Sequence, residues 1–205
     1  MDKILIFGDS ICYGKWDKEG GWVTRLRKYI DQNLNIAKNK GIQVFNLGIP
    51  GELVINTSKR FKAELLSRKN TNEKTLVIIA AGINDSCINN RTTEQITSVE
   101  DFKKAFENII QISKMYDCDL IIIGLLPVNS SKSKSLKFTN ELAKEYDNYI
   151  TEITTKLDTT KIELFEDLER LSFANLLVDA VHPNSDGHKI LYERILGFLQ
   201  EKNYL

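Results

Sequence analysis

A serine, an aspartate and a histidine occur where they could assemble a nucleophilic site. Ser10 follows the apolar run 4–7 closely, and Asp179 precedes His182 by three residues. A carboxylate at that spacing can accept the Nδ1 proton of the imidazole and fix its tautomer. The chain order serine, aspartate, histidine is that of triads assembled at the carboxyl edge of an α/β sheet. These residues therefore predict attack by a serine hydroxyl on a substrate carbonyl.

The second histidine does not fit a metal site. His182 and His188 are six residues apart across Gly187, whereas histidines of a helical zinc site are spaced by four. We expect no metal, and we expect His188 to be a partly exposed helix residue. A GxSxG nucleophile elbow is absent from the sequence, which argues against the common α/β-hydrolase family.

Alternation of strand and helix predicts the elements that position these residues. Apolar runs rich in β-branched residues lie at 4–7, 44–47, 76–81 and 120–126, with a weaker run at 162–165. Between them, apolar residues recur at helical spacing, as in 102–110, 142–157 and 190–199. Near-continuous apolar strands alternating with amphipathic helices predict an α/β fold, an open and doubly wound parallel sheet with helices on both faces. Ligands of such sheets bind at the carboxyl ends of the strands.

Composition limits the class of protein. The chain has 205 residues, 42% of them hydrophobic, and its 28 basic residues balance 28 acidic ones. We expect a single packed domain over 1–205, with no nucleic acid or membrane as partner. Three cysteines without a CxxC pair indicate reduced thiols, and no signal peptide or membrane span is recognisable. The expected location is cytoplasmic, and the sequence does not indicate an oligomeric state.

Four short blocks at the predicted strand ends resemble those of the GDSL or SGNH hydrolases. The blocks are Gly8-Asp9-Ser10-Ile11, the glycine block 46–51, Gly82-Ile83-Asn84-Asp85 and Asp179-Ala180-Val181-His182-Pro183. A single block carries little weight because each occurs by chance. Four blocks in the family's order make the resemblance specific. One departure is Ile11, where the family usually has leucine.

The resemblance implies a fold and a set of roles. The implied fold is the flavodoxin-like three-layer α/β/α sandwich with five parallel strands in the order 2-1-3-4-5. Ser10 would be the nucleophile, His182 the general base and then acid, and Asp179 the residue that orients it. The oxyanion hole would consist of the backbone N–H groups of Ser10 and Gly51 and the side-chain amide of Asn84. The implied activity is hydrolysis of small carboxylic esters through an acyl-enzyme, without a cofactor.

The donor from the glycine block has two candidates. Gly48 and Gly51 both lie in the pattern Asn-x-Gly-x-x-Gly that begins at Asn46. We favour Gly51 because it ends the pattern, where the family's donor falls. Gly48 stays open as the alternative.

Other activities remain compatible with the sequence. An acyltransferase or a thioesterase would use the same triad. A non-catalytic flavodoxin-like binding module is the rival from another class, although the loop after the first strand lacks both the acidic cluster of a receiver domain and the phosphate loop of a flavin site. The polar segment 129–135 contains no apolar residue. It therefore predicts a site without an amphipathic lid, suited to a small-molecule ester with a short acyl group.

Overall fold

The structure, a computed structural model, describes residues 1–39 and 41–205. Its strands are β1 (Lys3–Gly8), β2 (Gln43–Gly48), β3 (Thr75–Ala80), β4 (Ile88–Asn89), β5 (Asp119–Ile123), β6 (Leu136–Lys137) and β7 (Thr160–Ile162). Its α-helices are α1 (Ser10–Tyr13), α2 (Gly21–Tyr29), α3 (Val54–Leu66), α4 (Val99–Met115), α5 (Asn140–Lys156), α6 (Phe165–Arg170) and α7 (Ser185–Glu201). A π-helical segment (Ile30–Asn35) follows α2, and two 3-10 helices span Ser130–Lys132 and Phe173–Leu176.

The apolar runs form one parallel sheet. In the described part of the chain it has five strands in the order β2-β1-β3-β5-β7. Numbered among themselves, these strands have the order 2-1-3-4-5, which confirms the predicted topology. β2 lies on one side of β1, and the later strands β3, β5 and β7 lie on the other side. The order of strands therefore reverses between β1 and β3, and open α/β sheets bind ligands at such a switch point. Ser10 follows β1 and Asn84 follows β3, so both residues lie at this point.

Alternate side chains of the strands build a core on each face of the sheet. In β1, Ile4 and Ile6 belong to a core that also contains residues of α2 and α7. Leu5 and Phe7 point to the opposite face and pack in a second core with residues of α3, α4 and α5. The architecture is therefore the predicted three-layer α/β/α sandwich. None of the helices described is both long enough and apolar enough to cross a bilayer.

Two predicted strands end earlier than their apolar runs. β5 ends at Ile123. The Gly124 N–H still donates to the Ile162 carbonyl of β7 (3.0 Å), but the Leu125 N–H donates to the side chain of Asp147, at Oδ1 (2.7 Å), and not to a neighbouring strand. β7 ends at Ile162, and Phe165, which we predicted in a strand, begins α6. A run as short as 162–165 fits the strand and helix periods equally well.

A small antiparallel pair was not predicted. β4 pairs with β6 through Ile88↔Lys137 and Asn89↔Leu136. This pair attaches the chain after the polar segment 129–135 to the chain that follows Asn84. Strands of two residues have no periodicity to detect, so only the structure reveals that the polar segment lies near the switch point.

Candidate active site

Ser10 lies where β1 turns into α1. Gly8 leaves no room for a side chain, because a Cβ there would lie 2.4 Å from the Ala80 carbonyl oxygen and from Cys12 Sγ. Asp9 is the N-cap of α1, with its Oδ1 accepting a hydrogen bond from the Ile11 N–H at 2.8 Å. Ser10 is the first helical residue, and N–H groups at this position have no partner within the helix. The turn thus holds the Ser10 hydroxyl and N–H at the carboxyl edge of the sheet.

His182 is held by the loop that precedes α7. Its Nδ1 lies 2.7 Å from Asp179 Oδ2 and 2.8 Å from Asp179 Oδ1. Asp179 Oδ1 also accepts the N–H groups of His182 (3.0 Å) and Val181 (3.1 Å). The loop closes through the Val178 N–H, which donates to the His182 carbonyl at 2.8 Å. The carboxylate therefore orients both the imidazole ring and its backbone.

The structure brings Ser10 to His182 from opposite ends of the chain. Ser10 Oγ is 2.7 Å from His182 Nε2. Because Asp179 accepts the Nδ1 proton, Nε2 carries the lone pair and the Ser10 hydroxyl donates to it. Both side chains are mostly buried, with Ser10 3% and His182 9% exposed. Ser10, His182 and Asp179 thus form one continuous hydrogen-bonded chain.

Burial and hydrogen bonding shift the pKa values of the acid and the base. Burial lowers the pKa of His182 below its ordinary value of 6.5, against the opposing effect of Asp179. Burial alone would raise the pKa of Asp179, but the N–H groups of His182 and Val181 lower it to about 2. At neutral pH the pair is accordingly a neutral imidazole beside a carboxylate, as a general base requires.

Trp16 is a further contact of Asp179. Its Nε1–H donates to Asp179 Oδ2 at 3.2 Å, while the residue is 57% exposed. Its backbone has a φ of 68°, in the left-handed region that few bulky residues adopt. The sequence showed only an aromatic residue in a strand-to-helix loop, which is as typical of packing as of a site.

The glycine block and Asn84 lie beside the loop that carries Ser10. The Ile49 N–H donates to the Gly8 carbonyl at 2.9 Å, and Asn84 Nδ2 donates to the Glu52 carbonyl at 3.1 Å. Gly51 has a φ of 78° and open space where a side chain would be. Within residues 1–39 and 41–205, its N–H donates no hydrogen bond. The loops after β1, β2 and β3 are therefore connected by hydrogen bonds.

Gly48 has a different environment. Its N–H donates to Asn46 Oδ1 at 3.0 Å. A Cβ at Gly48 would lie 2.6 Å from the Tyr13 nitrogen and 2.8 Å from the Asp9 carbonyl oxygen. Close packing of β2 against the α1 turn thus accounts for this glycine.

Buried carboxyl groups support the same loops. Asp85 accepts the Val54 N–H at 3.1 Å and the Thr97 hydroxyl at 2.7 Å. Burial raises the pKa of Asp85 to about 6 and that of Asp9 to about 7. Asp85 and Asp9 thus hydrogen-bond backbone groups of these loops, and the Asn46 amide donates to the Cys12 carbonyl at 2.8 Å.

The prediction for His188 was wrong. This residue is completely buried rather than partly exposed. Its Nε2 lies 3.4 Å from the Lys15 carbonyl oxygen, and its Nδ1 has no hydrogen-bond partner among the described residues. Its position in the first turn of a helix that starts at the sheet edge puts it against the α1–α2 loop, which a pattern of apolar residues does not indicate.

The chain matches one protein family in sequence and several solved structures in fold. A family model described as GDSL-like Lipase/Acylhydrolase matches residues 4–195. No curated protein matches the chain in sequence. Solved structures resemble it in fold at low identity. The lipase/acylhydrolase from Enterococcus faecalis is 22% identical, with 98% of this chain and 97% of that chain covered and a TM-score of 0.76.

Two further solved structures are similar over nearly their full lengths. The psychrotrophic esterase EstA from Pseudoalteromonas sp. is 19% identical, with both chains covered completely and a TM-score of 0.73. The acetylxylan esterase Axe2 from Geobacillus stearothermophilus is also 19% identical, with 98% of this chain and 93% of that chain covered and a TM-score of 0.72. At these identities the likeness establishes a shared fold.

Proposed function

Because the chain belongs to the GDSL-like lipase/acylhydrolase family, we propose that it is a serine esterase that hydrolyses small carboxylic esters. Ser10, His182 and Asp179 are its catalytic triad in this proposal. The observation that carries it is the continuous hydrogen-bonded chain, in which Ser10 Oγ lies 2.7 Å from His182 Nε2 and His182 Nδ1 lies 2.7 Å from Asp179 Oδ2. This is the arrangement by which a base activates a serine hydroxyl.

The first half of the reaction forms an acyl-enzyme. His182 Nε2 accepts the hydroxyl proton as Ser10 Oγ attacks the ester carbonyl, and the carbonyl π electrons move to the oxygen. Asp179 stabilises the imidazolium that results. The tetrahedral intermediate then collapses, His182 gives its proton to the departing alkoxide, and an alcohol leaves. Water attacks the acyl-enzyme by the same steps, releasing a carboxylic acid and free Ser10.

Three donors are proposed to bind the oxyanion. They are the backbone N–H groups of Ser10 and Gly51 and the side-chain amide of Asn84. The Asn84 amide has two N–H bonds and donates to the Glu52 carbonyl, so the second N–H remains for the substrate. We favour Gly51 over Gly48 because the Gly48 N–H is already bonded to Asn46.

Trp16 is proposed as a positioning residue for this triad. The indole N–H of this exposed residue donates to Asp179 Oδ2, whereas the backbone donors bind Oδ1. A carboxylate held at both oxygens keeps the imidazole in one orientation, which is the part that the aspartate plays in the triad.

Hydrolysis of p-nitrophenyl acetate by the purified protein tests the proposal. Ser10→Ala should fold normally, as judged by circular dichroism, and lose about 10⁶-fold in kcat, as when a triad serine is removed. Ser67→Ala is the matched control, because Ser67 is exposed at the end of α3. Turnover by Ser10→Ala at the wild-type rate, or a folded wild-type protein that cleaves no ester of a short-chain panel, would refute the proposal.

A further inference from the structure

An open groove leads away from the candidate active site. It has a volume of about 300 Å³, and the described residues that line it include Asn84, Asp179 and His182 but none of the glycine block 46–51. The groove therefore extends on the His182 side of the nucleophile. In the proposed reaction His182 delivers its proton to the departing alkoxide, so this side receives the alcohol portion of the ester.

Three lysines line this groove. Lys15 comes from the loop between α1 and α2, whereas Lys132 and Lys134 come from the polar segment 129–135 between β5 and β6. Two parts of the chain that are far apart in sequence thus bring positive charge to the same place. The positive charge of Lys15 also acts on the proposed catalytic base, because it contributes to the lowered pKa of His182.

Little negative charge opposes these lysines. Asp179 is the one acidic residue among the described residues that line the groove. Its two oxygens already accept hydrogen bonds from His182, Val181 and Trp16. No salt bridge of the described chain includes Lys15, Lys132 or Lys134, although other lysines, such as Lys103 and Lys161, have carboxylate partners. The groove is therefore a local excess of positive charge on a protein whose formal net charge is zero.

The lysine-bearing segments are anchored. Lys132 Nζ donates to the Leu177 carbonyl at 2.5 Å, and Ser133 Oγ accepts the Phe138 N–H at 3.1 Å. The carbonyl of Lys134 accepts a hydrogen bond from the Asn90 side chain, next to the β4–β6 pair. On the other side, the Lys15 N–H donates to the Ser10 carbonyl at 3.0 Å. An ammonium group has three donors, so Lys132 retains two for a ligand.

We propose that the alcohol portion of the substrate carries an anionic group, a carboxylate or a phosphate, which Lys15, Lys132 and Lys134 bind in this groove. The inference rests on the proposed esterase function and adds the class of ester. An anion there gains from three positive charges, none of which is in a salt bridge within the described part of the chain. Opposite charge in a cleft also raises the local concentration of substrate and the rate of association.

Matched esters of one acyl group test the proposal. The two anionic esters are 4-acetoxybenzoate and 4-acetoxyphenyl phosphate, and the neutral one is methyl 4-acetoxybenzoate. Each kcat/KM is divided by the rate constant of hydroxide-catalysed hydrolysis of the same ester, which corrects for leaving-group reactivity. At low salt we expect one or both anionic esters to be favoured by about tenfold or more over the neutral ester. The preference should shrink in 0.5 M salt, because salt screens exposed charges.

Charge variants connect the preference with the groove. In Lys15→Gln/Lys132→Gln/Lys134→Gln the ratio of anionic to neutral kcat/KM should fall about tenfold. The control Lys38→Gln/Lys59→Gln/Lys74→Gln removes the same charge from exposed lysines that lie outside the groove lining, and its ratio should remain that of the wild type. Thermal unfolding of both triple variants establishes that they are folded.

The outcomes separate the two proposals. If the wild type cleaves the neutral ester and cleaves neither anionic ester faster, the anionic substrate is wrong and the esterase stands. If no ester is cleaved, the esterase itself is wrong. An equal fall of the ratio in both triple variants would contradict the groove as the binding place.

An additional pair of esters, p-nitrophenyl hemisuccinate and p-nitrophenyl butyrate, tests the position of the charge, because the hemisuccinate carries it on the acyl side. A preference found only there would overturn the assignment to the alcohol portion.

Discussion

Asp179 receives more hydrogen bonds than its contact with His182 alone requires. Its oxygens accept from the His182 ring, from the backbone of His182 and Val181, and from the indole of Trp16. The hydrogen bonds from His182 and Val181 lower its pKa to about 2, although burial opposes the shift. The carboxylate therefore stays charged over the whole range in which the base must function.

The pH dependence of the reaction follows from His182. A general base must be neutral. Because burial lowers the pKa of His182 below 6.5, its imidazole stays neutral down to a more acidic pH than that of an ordinary histidine. We expect kcat/KM to fall on the acid side with a midpoint below 6.5. Since the charge of Lys15 also lowers this pKa, Lys15→Gln should move the midpoint to higher pH, and Lys59→Gln should not. A wild-type midpoint above 6.5 would contradict the described environment of the base.

Asn84 offers a test of the proposed oxyanion hole. Removing one donor that acts mainly in the transition state should lower kcat by about 10²–10³ with little change in KM. We therefore expect this result for Asn84→Ala in steady-state kinetics with a short-chain p-nitrophenyl ester. Asn148→Ala, an exposed position of α5, serves as the control. A change confined to KM would instead make Asn84 a residue that binds the ground state.

Among the elements, α7 positions His182, the proposed catalytic base. The helix begins at Ser185, and its N-cap Asn184 accepts the Gly187 N–H at 2.9 Å. The Asn184 N–H in turn donates to the Leu176 carbonyl at 2.7 Å. His182 lies only two residues before this cap. An ordered first turn of α7 therefore restricts the position of the His182 imidazole.

Two N-cap variants separate stability from activity. Asn184→Ala and Ser98→Ala each remove a cap, since Ser98 accepts the Asp101 N–H at the start of α4. Each should lower the free energy of unfolding by about 1 kcal/mol in urea titrations. We expect only Asn184→Ala to lower kcat as well, because α4 does not hold a triad residue. Equal kcat values for the two variants would show that α7 does not order His182.

The sequence predicted the fold and the strand order, but it did not predict several contacts around the candidate site. The apolar runs indicated the five strands, and the resemblance of four blocks implied their order, which puts Ser10 and Asn84 at the same edge of the sheet. The surroundings depend on contacts between distant segments. Trp16 reaches Asp179 across 163 residues, and His188 is buried against Lys15 across 173. Neither contact produces a local pattern of residue types, and the two-residue strands β4 and β6 produce none either.

For the whole molecule, the shape of the cavities bears on substrate size. The apolar cavity beneath Asp9 and Ile11 has a volume of about 30 Å³, room for no more than about one or two water molecules. The groove of about 300 Å³ is open and carries lysines. Neither offers a long apolar wall, so each added methylene of an acyl chain would gain little of the ~0.8 kcal/mol that full burial gives.

Acyl-chain preference is therefore predicted to favour short esters. With one leaving group, kcat/KM should be highest from acetyl to butyryl and should drop for chains of about eight carbons or more. Activity should show no jump as the substrate passes its solubility limit, since the polar segment 129–135 has no apolar face to act as a lid. A steady rise with chain length, or activation by an emulsion, would reveal an acyl channel that the described structure does not contain.

The charge distribution is the other property of the whole molecule that matters for function. Basic and acidic residues balance at 28 each, so long-range attraction of a charged substrate is weak. The lysines of the groove instead place positive charge close to His182, the proposed catalytic base. Selectivity for a charged ester is consequently expected from the groove and not from the net charge of the protein.

Covalent labelling by a fluorophosphonate tests the central claim, that Ser10 is a nucleophile activated by His182. Intact-mass and peptide analysis of the labelled protein should show one adduct per chain, on Ser10, with loss of esterase activity in step with its formation. Labelling should become much slower in His182→Ala, because the hydroxyl then lacks its base. An adduct on another residue, or full esterase activity in a protein labelled completely at Ser10, would contradict the account.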